Sequence, residues 1–246
     1  AKLTGAPLPA TIELTIATVL VGILIAMPVG IISAVRAGSW LDRTALSGAL
    51  VGISMPAFWF GLLMILLFAV ELRVLPTSGR IAATMVVDKT TGFMLVDTLL
   101  AGNLKAFGVA LKHLILPALT LGVVFAAVLA RVVRTSMLEV LGKDYVTTAR
   151  AKGLREWGVI LKHALRNALI PALTVTGLQF GELLGGNMIV ETVFAWPGLG
   201  RLVVSSIFAR DYVVVQAAVM LYALTYVGAN LVVDALYTLL NPRISL

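Results

Sequence analysis

The chain alternates between long uncharged stretches and short polar ones, and that alternation sets the first expectation. About 20 mostly apolar residues suffice for a helix to cross a bilayer. Leu14–Val35 and Thr44–Val70 carry no charge. Leu114–Ala130 is shorter, but Arg131 and Arg134 can snorkel toward headgroups and extend it. Ala168–Val190 holds one acid, Glu182, and Tyr212–Val233 is uncharged between Asp211 and Asp234. The pattern predicts an all-α integral membrane protein with five transmembrane helices, at about 11–35, 44–70, 113–135, 168–190 and 212–240. A polar loop at 139–167 and a mixed segment at 71–112 lie between spans. LPTSGR and GFMLVDTLLAGN in the latter suggest a surface excursion with a short helix.

Five crossings place the two ends of the chain on opposite sides, and Lys and Arg in the loops orient them. Segment 131–167 holds eight basic residues in 37 positions, against five in the 42 positions of 71–112. The denser loop is expected in the cytoplasm, with the N-terminus external and the C-terminal Arg243 cytoplasmic. Lys2 then lies on the external side. Prolines 28, 56, 117 and 171 fall within or beside spans and are read as packing kinks rather than hinges.

Composition agrees. Of the 246 residues 60% are hydrophobic and 13% charged, whereas soluble domains average about 25% charged. With no cysteine, disulfides and thiolate chemistry are excluded. The net charge of +7 could suggest nucleic acid, but it clusters beside apolar spans, where orientation in lipid explains it. Ala1 rather than Met, with no recognisable signal peptide after it, suggests a start partway through a longer product.

Lys143–Asn167 is the most informative stretch. Asp144 is a candidate helix N-cap, and Tyr145–Lys152 makes about two turns. Gly153 suits the left-handed position after a helix end, with Leu154 folding back on the last turn. A second helix from Arg155 then runs into the next span, giving a compact hairpin. From the residues alone, lipid contact and docking of a partner are equally good readings, while DNA binding is disfavoured by the tether between two spans. In the fourth span Gln179, Glu182 and Gly186 share one helical face, a pathway candidate. Gly177, Gly181 and Gly185 share another, spaced for close helix packing. Pairing of Glu182 with a neighbouring helix is the competing reading. Glu13 is expected at a solvated headgroup position. His113 and His163 fall on opposite sides, so no metal site is expected.

DYVTTARAKGLREWGVILKHALRNALIP resembles the coupling loop of ABC importer permeases of the dipeptide, oligopeptide and nickel group. The general pattern reads Glu-Ala-Ala, three residues, Gly, nine residues, Ile-x-Leu-Pro. Gly153 holds the glycine, Thr148 and Ala149 the alanine positions, and Leu165 the leucine, while Thr147, His163 and Arg166 depart from the pattern. GISMPAFWFG, ILPALTLG, GLQFGELLGG, ETVFAWPGLGR, RDYVVVQA and LVVDALYTLLNPRI are similar to the same group along the whole chain. The resemblance implies a six-helix permease core lacking its first helix here, and a short helix that docks on a separate ATPase. The residues concerned are Asp144, Tyr145, Thr148, Ala149, Arg150, Ala151, Lys152, Gly153 and Leu154. Ala149 and Ala151 would allow close approach, and Arg150 and Lys152 would meet an acidic cleft. The implied partners are a second homologous permease, two ATPase subunits, an external substrate-binding protein and membrane lipid, with no nucleic acid. Gly142-Lys143 lacks the rest of a phosphate-binding loop, so ATP and Mg are expected on the partners and no cofactor in this chain. The expected role is non-enzymatic: half of a translocation pathway in the cell inner membrane for di- or oligopeptides, with nickel or glutathione as alternative cargo. A rival of another class is an ion-coupled transporter or channel using Glu182.

Overall fold

A computed structural model describes residues 7–88 and 90–240, without the side chains of 229 and 232–240. Lys2, Arg243 and the end of the LVVDALYTLLNPRI stretch lie outside the described residues. Eleven helices follow one another: α1 Pro7–Val35, α2 Trp40–Ser54, α3 Ala57–Met64 with a π-helical continuation Ile65–Glu71, α4 Met94–Leu100, α5 Leu104–Leu141, α6 Asp144–Ala151, α7 Glu156–Gly158, α8 Leu165–Leu184, α9 Met188–Val193, α10 Leu199–Phe208 and α11 Tyr212–Leu240. A second π-helical stretch, Val159–Ala164, joins α7 to α8. No strand occurs among the described residues.

The long helix α5 is the spine. Its buried side, including Leu114, Leu121, Phe125, Leu129, Val133 and Met137, packs on α1 and α8. Small residues bring α1 and α5 together. A Cβ at Gly30 would lie 2.8 Å from the Ala130 carbonyl oxygen and from Val133 Cβ, and one at Gly122 would lie 2.7 Å from Val21. Backbones this close gain dispersion contact that lipid tails cannot supply. Outward-facing Leu20, Leu24, Leu50 and Leu66 remain exposed, as suits helices surrounded by lipid.

On length and composition, Pro7–Val35 and Leu104–Leu141 can each cross a membrane. Three expected spans have different outlines. The apolar run 44–70 is two helices, Trp40–Ser54 and Ala57–Glu71, bent by 103° at the break. Pro56 lacks an amide hydrogen and restricts Met55 to extended backbone, which stops α2 there. The span expected at 113–135 begins at Leu104, where the Asn103 side chain caps it, and continues to Leu141. The span expected at 168–190 ends at Leu184, because Gly186 adopts φ +80°.

Two charged residues expected near the headgroups are held in ion pairs, Glu13 in the interior and Arg134 half-buried. The Nε and Nη2 of Arg134 donate to the two carboxylate oxygens of Asp42 at 2.6 and 2.8 Å. Asp42 Oδ2 also accepts from the Gly38 amide at 2.8 Å, so one carboxylate closes the α1–α2 turn onto α5. Glu13 is buried, not solvated. Arg80 donates to Glu13 Oε2 through Nε at 2.8 Å and through Nη2, and the Leu95 amide donates to Oε1 at 2.8 Å. The reach of Arg80 from the 71–93 segment to α1 could not be read from the spacing of residues.

Candidate coupling hairpin

The hairpin is built at the end of α5. Gly142 closes α5, and α6 begins after Lys143, whose extended backbone makes it the N-cap residue. Asp144 is therefore the first helical residue and makes no capping bond with its side chain, contrary to the expectation. Its charge still lies at the positive end of the helix. Tyr145–Ala151 follow as helix, and Lys152 closes it with its amide donating to the Thr148 carbonyl at 3.1 Å. Gly153 takes φ +75°, as the residue after a helix end commonly does, and its amide donates to the Arg150 carbonyl at 2.9 Å.

A small apolar core of Val146, Ala149 and Val159, flanked by Val140 and Leu141, holds α6 to α5 and to the π-helical stretch. Ala149 therefore faces inward, 6% exposed, as part of this core. The helical period puts Val146 and Ala149 on one face, three residues apart. Asn167 Nδ2 donates to Tyr145 Oη at 2.9 Å, tying α6 to the start of α8. Thr148 bonds back to the Asp144 carbonyl at 2.9 Å. Ala151, Lys152 and Leu154 are exposed, and so are Trp157 and Leu161, two large apolar groups that the sequence reading did not single out. Their signal was present as apolar residues in a basic polar loop, but helical phase was needed to tell outward from inward.

Arg150 is already engaged. Its Nη2 and Nε donate to Glu156 at 2.7 and 3.3 Å across the turn, so of the two basic residues expected to meet an acidic cleft only Lys152 is without such a pair among the described residues. The hydrogen bond from Arg150 holds the Glu156 carboxyl below its ordinary value. A lowered carboxylate contributes stability that is complete above the unfolded value and is lost as pH falls through the folded one. Both groups are solvent-screened, so Glu156→Gln is expected to change thermal unfolding little at neutral pH, in low or high salt. A large loss on thermal unfolding would give this pair a structural weight that its exposure denies.

The other end of the molecule is organised around a second carboxylate that sequence reading missed. Glu191 in α9 is fully buried. Thr11 Oγ1 donates to its Oε1 and the Arg201 amide to its Oε2, both at 2.9 Å, while Thr11 Oγ1 accepts from the Leu199 amide at 2.8 Å. A Cβ at Gly198 would run into this carboxylate and one at Gly200 into the Met188 backbone beside it, which explains the glycines of WPGLGR. Trp196 Nε1 donates to the Ala10 carbonyl at 2.9 Å, and the Arg80 guanidinium lies 5.8 Å from the centre of the Trp196 ring. Asp97 in α4 is buried, which raises a carboxyl, but bonds from the Thr91 hydroxyl and the Thr91 and Gly92 amides outweigh this and leave its value lowered.

Gln179 Nε2 donates to Glu182 Oε2 at 3.0 Å, so these two do share a face. Gly186 lies beyond the helix end at φ +80°, yet it lines the same cavity as Glu182. Glu182 is also less deep than expected, two residues before the last residue of α8. The glycine face packs on α11: Gly181 faces Tyr226 and Asn230, and Gly185 faces the Tyr222 ring, with Gly177 buried on the same helix. Among the described residues no group of three His, Asp or Glu side chains is placed to hold a metal.

Among the described residues the chain is an all-helical, apolar bundle with a short polar helix between two long ones, a membrane-protein architecture. Residues 26–246 match the model of the binding-protein-dependent transport system inner membrane component, and the chain belongs to this family of transport permeases. It is 50% identical over 236 residues to a di/tripeptide transport system permease protein of Pseudomonas aeruginosa, covering 96% of this chain and 70% of that one. Identity is 48% over 238 residues to a dipeptide transport system permease protein of Escherichia coli, with 96% and 70% covered. A glutathione transport system permease protein of Pectobacterium atrosepticum is 47% identical over 234 residues, with 95% and 67% covered. In fold, the chain is similar to an inward-facing structure of the MetNI methionine ABC transporter, with TM-score 0.68, 19% identity, and 95% of this chain and 94% of that one covered.

Proposed function

We propose that this chain is the permease subunit of an ATP-driven importer of di- or oligopeptides, with α6 and the Gly153 turn as its docking element for a separate ATPase. The observation that carries the reading is the hairpin: a preformed short helix held to both α5 and α8, exposing Ala151, Lys152 and Leu154 at its tip. A push on α6 reaches α5 through Val146 and Ala149 and reaches α8 through Tyr145 and Asn167. The hairpin side is cytoplasmic, five crossings are made, and the chain performs no covalent chemistry. A second homologous permease completes the pathway, two ATPase subunits bind and hydrolyse ATP with Mg, and an external protein delivers substrate to the end built around Glu191. The names of the relatives support peptide cargo, and the glutathione permease fits the same machinery, glutathione being itself a peptide.

The chain's lack of cysteine makes the test clean. Single cysteines at Ala151 or Leu154 are expected to cross-link to an ATPase subunit in the assembled complex, whereas one at Leu24, an exposed position within α1, is not. Cross-links absent from the hairpin but formed elsewhere would remove it as the docking element.

A further inference from the structure

Glu182 is exposed and stands at a surface-open cavity of about 240 Å³ between α8, α9, α10 and α11. Met188, Leu199, Val203 and Tyr222 supply apolar wall, and a cavity this large far exceeds the roughly 10–15 Å³ that a single water needs. Tyr222 can form that wall because Gly185 opposite it has no side chain. Gln179 fixes one carboxylate oxygen of Glu182, and the other makes no hydrogen bond among the described residues. No basic side chain pairs with Glu182 among the described residues either, a state it shares with Glu71, Glu139 and Asp144, none of which lines this cavity. Glu191 and Asp97 are satisfied by several donors. Glu182 is thus a carboxylate positioned by a neighbour yet unused by its own fold, and it faces an apolar hollow.

A carboxylate beside an apolar hollow is complementary to an ammonium group next to an apolar side chain, and that is the amino-terminal residue of a peptide. We propose that this cavity is a peptide subsite on the translocation route, in which Glu182 accepts a hydrogen bond from the substrate α-ammonium. The first side chain of the peptide enters the space lined by Met188, Leu199 and Val203. The subsite rests on the peptide-import reading above. It places substrate recognition in the permease itself, near the end of α8 remote from the hairpin.

The test uses the assembled transporter, with both permeases and both ATPases, in lipid nanodiscs. The probe is the dipeptide photo-leucyl-alanine, whose small diazirine labels what surrounds it. On illumination we expect adducts on Met188, Leu199, Val203 or Tyr222. N-acetylation of the probe, which removes the ammonium, should lower adduct yield about tenfold or more, the size of one hydrogen bond to a charged group. Glu182→Gln should lower it as far, and Glu182→Asp should keep part of it. Adducts that map elsewhere, or labelling that survives acetylation or Glu182→Gln, overturn the subsite. Uptake of alanyl-alanine by the wild-type assembly in liposomes, supplied with ATP and the external binding protein, separates the two levels. Wild-type uptake with no labelling of the cavity sinks the subsite alone, whereas no dipeptide uptake overturns the substrate reading and the subsite with it.

Discussion

Replacing Gly153 by Val is expected to lower ATP-driven peptide uptake about tenfold or more, while Gly153→Asn keeps most of it. Gly153 sits at φ +75°, where a residue with a Cβ is disfavoured by about 1–2 kcal/mol and a β-branched one by more. A Cβ built there meets nothing within 4 Å, so the cost is one of backbone conformation and not of collision. Asn tolerates the left-handed region and Val does not, which makes the pair of substitutions diagnostic. With Val, the chain leaves that conformation and α6 loses its fixed direction relative to the π-helical stretch after it. The check is dipeptide uptake by the assembled transporter, read beside hairpin cross-linking to the ATPase. If Asn were as damaging as Val, the requirement would be for an empty surface at a partner and not for the turn.

The second large effect lies at the opposite end. Arg80→Ala is expected to destabilise the protein by about 3–5 kcal/mol, because it leaves the Glu13 carboxylate buried without its counter-charge. Both side chains are at most 7% exposed, and only the Leu95 amide would still bond to Glu13. The double substitution Glu13→Leu with Arg80→Leu is expected to recover most of the loss, since a buried ion pair replaced by apolar groups is often neutral. Thermal unfolding in detergent measures both. Proteolysis within 72–93 should rise in Arg80→Ala, because Arg80 anchors that segment to α1 and stacks toward Trp196. Equal unfolding of Arg80→Ala and the parent would mean that water reaches Glu13 freely.

These two sites show how differently the sequence exposed its contents. The Gly153 turn was legible because a helix end is a local event: a polar helical run, then glycine, then Leu154. Asp144 was misplaced by one position, since the residue before it has the extended backbone that defines the cap. Ala149 and Arg150 were given to a partner, yet one fills the hairpin core and the other binds Glu156, six residues on, across the turn. Only the angle between α6 and the chain after Gly153 decides which face of a two-turn helix is outward. Trp157 and Leu161 entered by the same route.

By itself the sequence determined the class of this protein, an all-helical membrane chain with one basic hairpin, because hydropathy over 20 residues and a glycine stop are properties of neighbours along the chain. It also carried enough motif to place the chain among the transport permeases. What the tertiary structure alone decided is which charges are spent. Thr11 reaches Glu191 across 180 positions, Arg134 reaches Asp42 across 92, and Arg80 reaches Glu13 across 67. Such pairs leave no periodic trace, because their partners are brought together by the packing of separate helices. Glu182 is among the acids left over from that pairing, and what sets it apart among the described residues is its place at the cavity lined by Met188, Leu199 and Val203.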